Sequence, residues 1–528
     1  MADNFFITTA IDYTNGAPHI GHAYEKVLAD VIARYHRLKG ESVFYLTGVD
    51  QHGQKVQQSA EKQGIEPQKF VDGLTEKFVA LWDKLDVRYE RWAATTDASH
   101  KQCVRAILQR LWDEKDATGQ SRWLYKTKQG GWYSVRQEQF LTDKERGEDG
   151  EFGPEWGEVE FREEENYYFR LTEHRDWLLV LLESRPELVT PDFRRGELRN
   201  AVEKLSGDLC ISRPKSRLAW GIELPFDPEF VTFVWFDALV NYISFAPGYD
   251  PAPGADLSEF NAWWPALHVI GKDILIPAHG VYWPIMLKAL GFSDADIPIL
   301  LVHGWWNIGG TKMSKTLGNV VDPDALADKY GAEALRYYLM SDITTGRDAD
   351  FSDDRLITRF NSDLAKNLGN LLNRSLNMAH KYRGGVLKKT TAPELLLTTR
   401  DALNFETVVE LYRSQFDGCA VNLALETALL HATACNQFID LQKPWTVAKH
   451  PDLADRLDAI LYQLAESLRF IAILLSPIVP KAARGIFDQL GVTGEFGLGD
   501  AKWGALPDGH RVGTPVPLFP QIERPEGE

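Results

Sequence analysis

The stretch Pro18-His19-Ile20-Gly21-His22 narrows most what this chain can fold into, because there an apolar strand hands over to an amphipathic helix. Phe5-Phe6-Ile7-Thr8-Thr9-Ala10 reads as a short buried strand, and about Gly21 to Leu38 carries Val27, Leu28, Val31, Ile32 and Tyr35 at helical spacing. Asp12, Asn15, Gly16 and Pro18 between them are turn and cap residues. A strand, a tight turn and a helix start form a phosphate-binding place in α/β proteins, since free backbone N–H groups and the positive end of the helix dipole point outward. His19 and His22, three apart in the first turn, can both face that anion, and Gly21 lets a flat nucleotide ring approach the backbone. Histidines at a helix start also serve as caps or core residues, and an H-x-x-H pair can hold a metal. This stretch alone leaves those alternatives open.

A second stretch shifts the balance. Gly309-Gly310-Thr311 leads into Lys312-Met313-Ser314-Lys315, and two lysines three apart on a glycine-rich loop offer mobile point charges for a polyphosphate. A lone K-x-x-K is more often a solvated face. Together the two stretches resemble the HIGH and KMSKS motifs of class I aminoacyl-tRNA synthetases, with Thr316 in place of the last serine.

At 528 residues the chain exceeds one hydrophobic core, so three or four structural units are expected. A hydrophobic content of 44% with 25% charged residues fits an ordinary soluble protein. The N-terminus enters a strand without a basic, apolar leader, and no uninterrupted apolar segment is long enough for a bilayer, so a cytoplasmic protein without membrane contact is expected. Cys103, Cys210, Cys419 and Cys435 form no C-x-x-C pair, which indicates neither a disulfide framework nor a thiolate zinc site. A net charge of −17 argues against non-specific nucleic-acid binding but leaves room for a local basic face.

Residues 1–115 read as the first half of a doubly wound sheet. Ser42 to Gly48 makes a second buried strand, and Val49-Asp50-Gln51-His52-Gly53 lies at its carboxyl end, where ligands bind in such sheets. Asp50 there either neutralises an ammonium group or caps the next helix. Thr47-Gly48-Val49-Asp50-Gln51-His52-Gly53 resembles the T-G-x-D-x-H-G of the methionyl-tRNA synthetase family, and the resemblance implies that Asp50 holds the amino acid's α-amino group. Residues 116–230 break the pattern with charged, glycine-rich and tryptophan-rich sequence and are similar to the connective peptide of that family. Its usual zinc knuckle is altered: Ser134 and Gln137 stand in the first ligand places, and Phe152-Gly153-Pro154-Glu155-Trp156 where the second pair belongs. Such residues do not make a zinc site. A metal-free knuckle is expected, with Trp132, Tyr133, Phe140, Phe152 and Trp156 as a small aromatic core.

In residues 231–350 the alternating pattern resumes. Trp235, Ala238 and Tyr242 fall on one helical face at i, i+3 and i+7, a stripe more often core than pocket. The run W-x-D-A-x-x-x-Y resembles the family's methionine-pocket segment, and the resemblance implies that Ile11, Tyr13 and His303 close the same pocket. A polarisable thioether suits aromatic walls. His268-Val269-Ile270-Gly271-Lys272-Asp273-Ile274 matches the family's H-x-I-G-K-D-I; Lys272 either contacts the nucleotide or pairs with Asp273. The segment before His279 is one residue longer than the family spacing, which predicts a bulged helix start.

Residues 351–528 stay helical almost to the end. Leu364, Leu368, Leu371 and Leu372 begin one apolar face and Ile460, Leu461, Leu464 and Leu468 another, so four or five helices form a bundle. On these residues alone it is a packing or oligomerisation module. The resemblance of Asn370-Leu371-Leu372-Asn373-Arg374 and of Pro444-Trp445 to the family's anticodon-reading pieces implies base contacts from Asn370, Arg374 and Trp445. No oligonucleotide-binding barrel follows Pro517-Leu518-Phe519-Pro520, so a monomer is expected.

The expected fold is α/β: a Rossmann-type doubly wound parallel sheet split by a connective-peptide insertion and followed by an α-helical bundle. The resemblance implies a methionine-tRNA ligase using ATP with magnesium and no zinc, whose partners are L-methionine and initiator and elongator tRNA(Met). His19 and His22 would stabilise the α-phosphate, Lys312 and Lys315 would close on pyrophosphate, and Gly21, Lys272 and Ser314 would complete the ATP site. The alternatives are a class I synthetase for leucine, isoleucine, valine or cysteine, and a non-catalytic tRNA-binding paralogue. The valine and isoleucine types are usually longer, the cysteine type needs zinc thiolates, and a relic would not need His19, His22, Asp50, Lys312 and Lys315 intact.

Overall fold

The structure, a computed structural model, describes residues 3–134, 139–141, 145–147, 149–233, 235–313, 319–389 and 404–523. The chain opens with β1 (Asn4–Thr9) and β2 (Asp12–Tyr13), enters α1 (Ile20–Lys39), and returns through β3 (Ser42–Asp50). β4 (Arg91–Ala94) and α2 (Ala98–Asp113) complete the first half. After the insertion, with β5 (Leu124–Ser134), β6 (Val159–Phe169) and β7 (Val189–Thr190), come α3 (Trp235–Ser244), β8 (Leu267–Gly271) and β9 (Ile299–His303).

The central sheet has seven strands, all paired in parallel. Its order is β3–β1–β8–β9–β7, with β2 and β4 also paired to β3. The order runs outward one way from β1 and the other way from β8, which makes their carboxyl ends the switch point where such sheets bind ligands. Both faces are buried, as a parallel sheet requires. Alternation along the strands sends Ile7, Val269 and Leu301 into one core with α1, and Phe6, Ile270, Leu300 and Val302 into the other with α2 and α3. The first core continues into the C-terminal helices.

Inside residues 116–230 lies a four-stranded antiparallel sheet that includes β5 and β6, but β7 from the same span joins the central sheet beside β9, Val189 opposite Leu300. In the knuckle, Ser134 Oγ donates to the Trp156 carbonyl at 2.5 Å. Tyr133 is buried, with the Arg162 and Arg217 guanidinium groups 4.6 and 4.3 Å from its ring centre. Trp132 is partly exposed and leans on Phe152 and Phe161, with Arg146 over Trp132 and Phe152. Of the expected aromatic set, Trp132 and Phe152 meet, joined by Phe161, while Tyr133 is covered by arginines through cation–π contacts. Gln137 and the Phe140 side chain lie outside the described residues.

The C-terminal part is helical, with α4 (Asn370–Arg383), α5 (Val421–Gln442) and α6 (Ala454–Leu475); the expected face of Leu364, Leu368, Leu371 and Leu372 is buried across α4 and the wide helical turn before it, and that of Ile460, Leu461, Leu464 and Leu468 is buried on α6. Arg336, fully buried, ties this part to α1 and to the loop at Leu85. It donates to the carbonyls of Leu85, Pro477 and Ile478 and pairs with Asp30 of α1 at 2.8 Å.

A second internal tie is His100 of α2. Its Nδ1 is 2.7 Å from Ser244 Oγ at the end of α3, its ring stacks on Phe245, and its Nε2 makes no hydrogen bond among the described residues. Burial holds its pKa down at about 4. An unfolded histidine titrates near 6.5, so below that pH the unfolded chain takes up a proton that the buried ring refuses, and stability is lost as pH falls from about 6.5 towards 4. In His100→Gln this penalty disappears. Measured by chemical denaturation, the destabilisation caused by the substitution should shrink by about 2 kcal/mol between pH 7 and pH 5; a pH-independent difference would contradict the assignment.

Candidate active site

The helix start is built as its sequence suggests, with one addition: the two histidines cap it themselves. His19 takes extended backbone angles, its Nδ1 accepts from the Gly21 N–H at 3.1 Å, and His22 Nδ1 accepts from the His19 N–H at 3.0 Å. The rings stack at 3.8 Å. A ring nitrogen that accepts carries no proton, so in the neutral ring the proton sits on Nε2. The cap fixes the tautomer and leaves each Nε2–H as the donor on the far side of its ring.

Beneath this turn lies a charge network. Lys26, fully buried, donates to the Ala10 carbonyl (2.9 Å), Asp12 Oδ1 (2.6 Å) and Glu25 Oε1 (2.8 Å). Glu25 Oε2 lies 3.0 Å from His303 Nε2, and His303 Nδ1 lies 2.8 Å from the Gly304 carbonyl. Both ring nitrogens of His303 therefore face oxygen atoms. Burial pushes the Asp12 carboxyl up to about 7 in spite of Lys26. Burial acts the same way on Glu25, but Lys26 and His303 outweigh it and hold that carboxyl below its ordinary range. Asp12 Oδ1 also stands 3.9 Å from His22 Nε2.

The amino-acid side faces this network across the cavity. Asp50 ends β3, with Thr95 Oγ1 3.3 Å and the His52 N–H 3.4 Å from its Oδ1. Burial, then the charge of Asp237, push its carboxyl well above the usual range, so it resists ionisation until a cation such as an ammonium offsets that cost. On α3, Ala238 and Tyr242 are buried; the Tyr242 hydroxyl donates to His279 Nε2 (2.7 Å), whose Nδ1–H is held by the Ile274 carbonyl (3.0 Å). His279 sits in a wide, π-type turn over Leu275–Tyr282, with Ile276 out of helical conformation.

One cavity of about 720 Å³ joins these groups. Ile11, Tyr13, Asp50, Trp235, Ala238, Tyr242 and His303 line it together with His19, Gly21 and His22. Lys272 is turned away: its Nζ is 2.6 Å from Asp348 Oδ2 and 3.9 Å from the centre of the Trp305 ring, so its partner is Asp348 rather than Asp273. Met313 reaches the cavity wall, while Ser314, Lys315 and the Lys312 side chain lie outside the described residues. Asn370, Arg374 and Trp445 are elsewhere, on the helical part. Asn370 Nδ2 donates to the Lys366 carbonyl, Arg374 pairs with Asp440 of α5 at 2.7 Å, and Trp445 is 42% exposed on the turn that follows α5.

Sequence reasoning missed Asp12, Glu25 and Lys26. Their signal is a charged pair, Glu25-Lys26, inside the apolar stripe of α1, where a solvated face would not fall.

Known proteins resemble this chain over almost its whole length. The family described as "tRNA synthetases class I (M)" matches residues 5–149 and 156–376. The methionine–tRNA ligase of Deinococcus radiodurans is 41% identical over 98% of this chain and 74% of its own, and that of Thermosynechococcus vestitus is 38% identical over 99% of both. The structure of Mycobacterium tuberculosis methionyl-tRNA synthetase in complex with methionyl-adenylate superposes with a TM-score of 0.87 at 35% identity, covering 98% of this chain and all of that one. With its paired histidines, its acidic strand end and its aromatic helix face in one crevice, this chain belongs to the class I tRNA synthetases of the methionine type.

Proposed function

We propose that this chain is a methionine–tRNA ligase that activates L-methionine with ATP and transfers it to the 3′-terminal ribose of tRNA(Met), initiator and elongator alike. One observation carries this reading: the histidine-capped start of α1, the carboxylate of Asp50 and the apolar–aromatic face of α3 line a single cavity at the sheet's switch point.

In the first step a methionine carboxylate oxygen attacks the α-phosphorus, an O–P bond forms, and pyrophosphate leaves with the electrons of the broken P–O bond. His19 and His22 serve as Nε2–H donors to the charge that builds on the α-phosphate oxygens, and Lys312 and Lys315 draw off the pyrophosphate. In the second step the ribose hydroxyl attacks the adenylate carbonyl and AMP leaves. Neither step needs a protein nucleophile, since positioning and preorganised charge lower the barrier. Asp50 takes the α-ammonium, and Ile11, Tyr13, Trp235, Ala238, Tyr242 and His303 enclose the thioether. Gly21 and Ser314 complete the ATP site, and Lys272 joins them on release from Asp348, its partner in this structure. The carboxylates nearest the α1 start, Asp12 and Glu25, are engaged with Lys26. That engagement fits a magnesium ion that arrives on ATP, held by phosphates and water rather than by a protein cage. On the same reading Asn370, Arg374 and Trp445 read the anticodon, the knuckle works without zinc, and the chain divides at 1–115, 116–230, 231–350 and 351–528. The family resemblance carries the further expectation of a cytoplasmic monomer.

ATP/pyrophosphate exchange, run with each of the twenty amino acids on chelator-treated protein in magnesium alone, should proceed with methionine only. Exchange with another amino acid would remove the pocket assignment, and no exchange would favour a tRNA-binding paralogue or a metal requirement. In single-turnover measurements Lys315→Ala should slow adenylate formation by roughly tenfold or more with methionine affinity nearly intact. Equal losses in both would remove its assigned role.

A further inference from the structure

Two residues from the motifs around the amino-acid site have no part in the chemistry above, yet they meet. His52, two positions after Asp50, and Asp237, in the first turn of α3, are 185 residues apart in sequence, and His52 Nδ1 lies 2.9 Å from Asp237 Oδ2. Both are buried, Asp237 completely. Asp237 Oδ1 has no hydrogen-bond partner among the described residues, so His52 is the polar contact its side chain has there. On one side of the pair the chain leads back to Asp50, whose carboxyl feels the charge of Asp237 directly. On the other side, Ala238 and Tyr242 project from the same α3 that carries Asp237. Trp220 steadies the loop by donating from Nε1 to the Gln51 carbonyl at 2.6 Å and by setting its ring edge-on to His52.

The pair thus bridges the group that would hold the substrate's ammonium and the face that would hold its side chain. We propose that His52 and Asp237 are positioning residues that fix the distance between Asp50 and the face of α3, and thereby set the length of the unbranched side chain that the site accepts. This rests on the methionine-activating reading. An apolar pocket separates one methylene from the next by roughly 10–200-fold, and that selectivity survives only if the two walls cannot shift relative to the ammonium anchor.

The test compares wild type, Asp237→Ala, Asp237→Asn, His52→Ala and the double alanine variant in ATP/pyrophosphate exchange with methionine and with ethionine, one methylene longer. Thermal unfolding accompanies each variant. Asp237→Ala should raise KM for methionine about tenfold while KM for ATP stays put, and should narrow the preference for methionine over ethionine by a similar factor. His52→Ala should do the same, and the double variant should be no worse than either single one, as for two ends of one contact. Asp237→Asn keeps an oxygen for the His52 Nδ1–H and should retain the preference. Should Asp237→Ala fail to fold, His52→Ala against Asp237→Asn decides. A uniform fall in kcat with the preference unchanged, or an asparagine variant as unselective as alanine, would overturn the positioning role alone. Absence of methionine-dependent exchange in the wild type would remove the reading of the site and this inference with it.

Discussion

A fully buried ammonium governs the geometry of the crevice. Lys26 is cut off from bulk solvent, and three oxygens, from Ala10, Asp12 and Glu25, make its charge tolerable. Each comes from a different part of the switch point: the end of β1, the strand β2, and α1 itself. Through Glu25 the same network reaches His303 at the end of β9. Removing one member of such a set leaves the others charged in a low-dielectric interior, which typically costs ~3–5 kcal/mol. The elements that carry the substrate-facing groups are therefore held in one arrangement before any substrate arrives.

That rigidity matters because the proposed chemistry uses no covalent intermediate with the protein. Preorganised donors have to stand where charge develops. The cap at His19 and His22 illustrates how economically this is done: the backbone N–H groups that a helix start leaves unsatisfied fix both imidazole tautomers, and the same helix end attracts the anion. Opposite, the Asp50 carboxyl is kept hard to ionise until a cation meets it. Under the proposed reading, neutral imidazole N–H donors on one wall and a carboxyl that ionises against an ammonium on the other orient the amino acid with its carboxylate towards the phosphate.

Much of this is legible in the sequence because it rests on local periodicity. The strand–turn–helix at Pro18 to His22 follows from a change of hydrophobic period. So does the face shared by Trp235, Ala238 and Tyr242, which lies in α3 as its spacing predicts. Asp50 falls at a strand's carboxyl end because the strand is a continuous apolar run. What the sequence does not disclose is who meets whom across long separations. His303 and Glu25 are 278 residues apart, and Lys272 pairs with Asp348 rather than with its neighbour Asp273. A two-residue strand such as β7 carries no periodic signal at all; its place beside β9 is decided by tertiary packing. In the knuckle, aromatic residues were readable, but the arginines laid over them come from other strands and loops.

The claim that the buried ammonium fixes the reacting geometry is tested most directly by single-turnover methionyl-adenylate formation in Lys26→Met, a substitution of similar length without the charge. Loss of the network should slow the step by ~10²-fold, the scale of a 1 Å misplacement in an active site, in protein that still binds ATP. A variant that forms the adenylate at the wild-type rate would show that the crevice keeps its shape without Lys26 and would contradict this account.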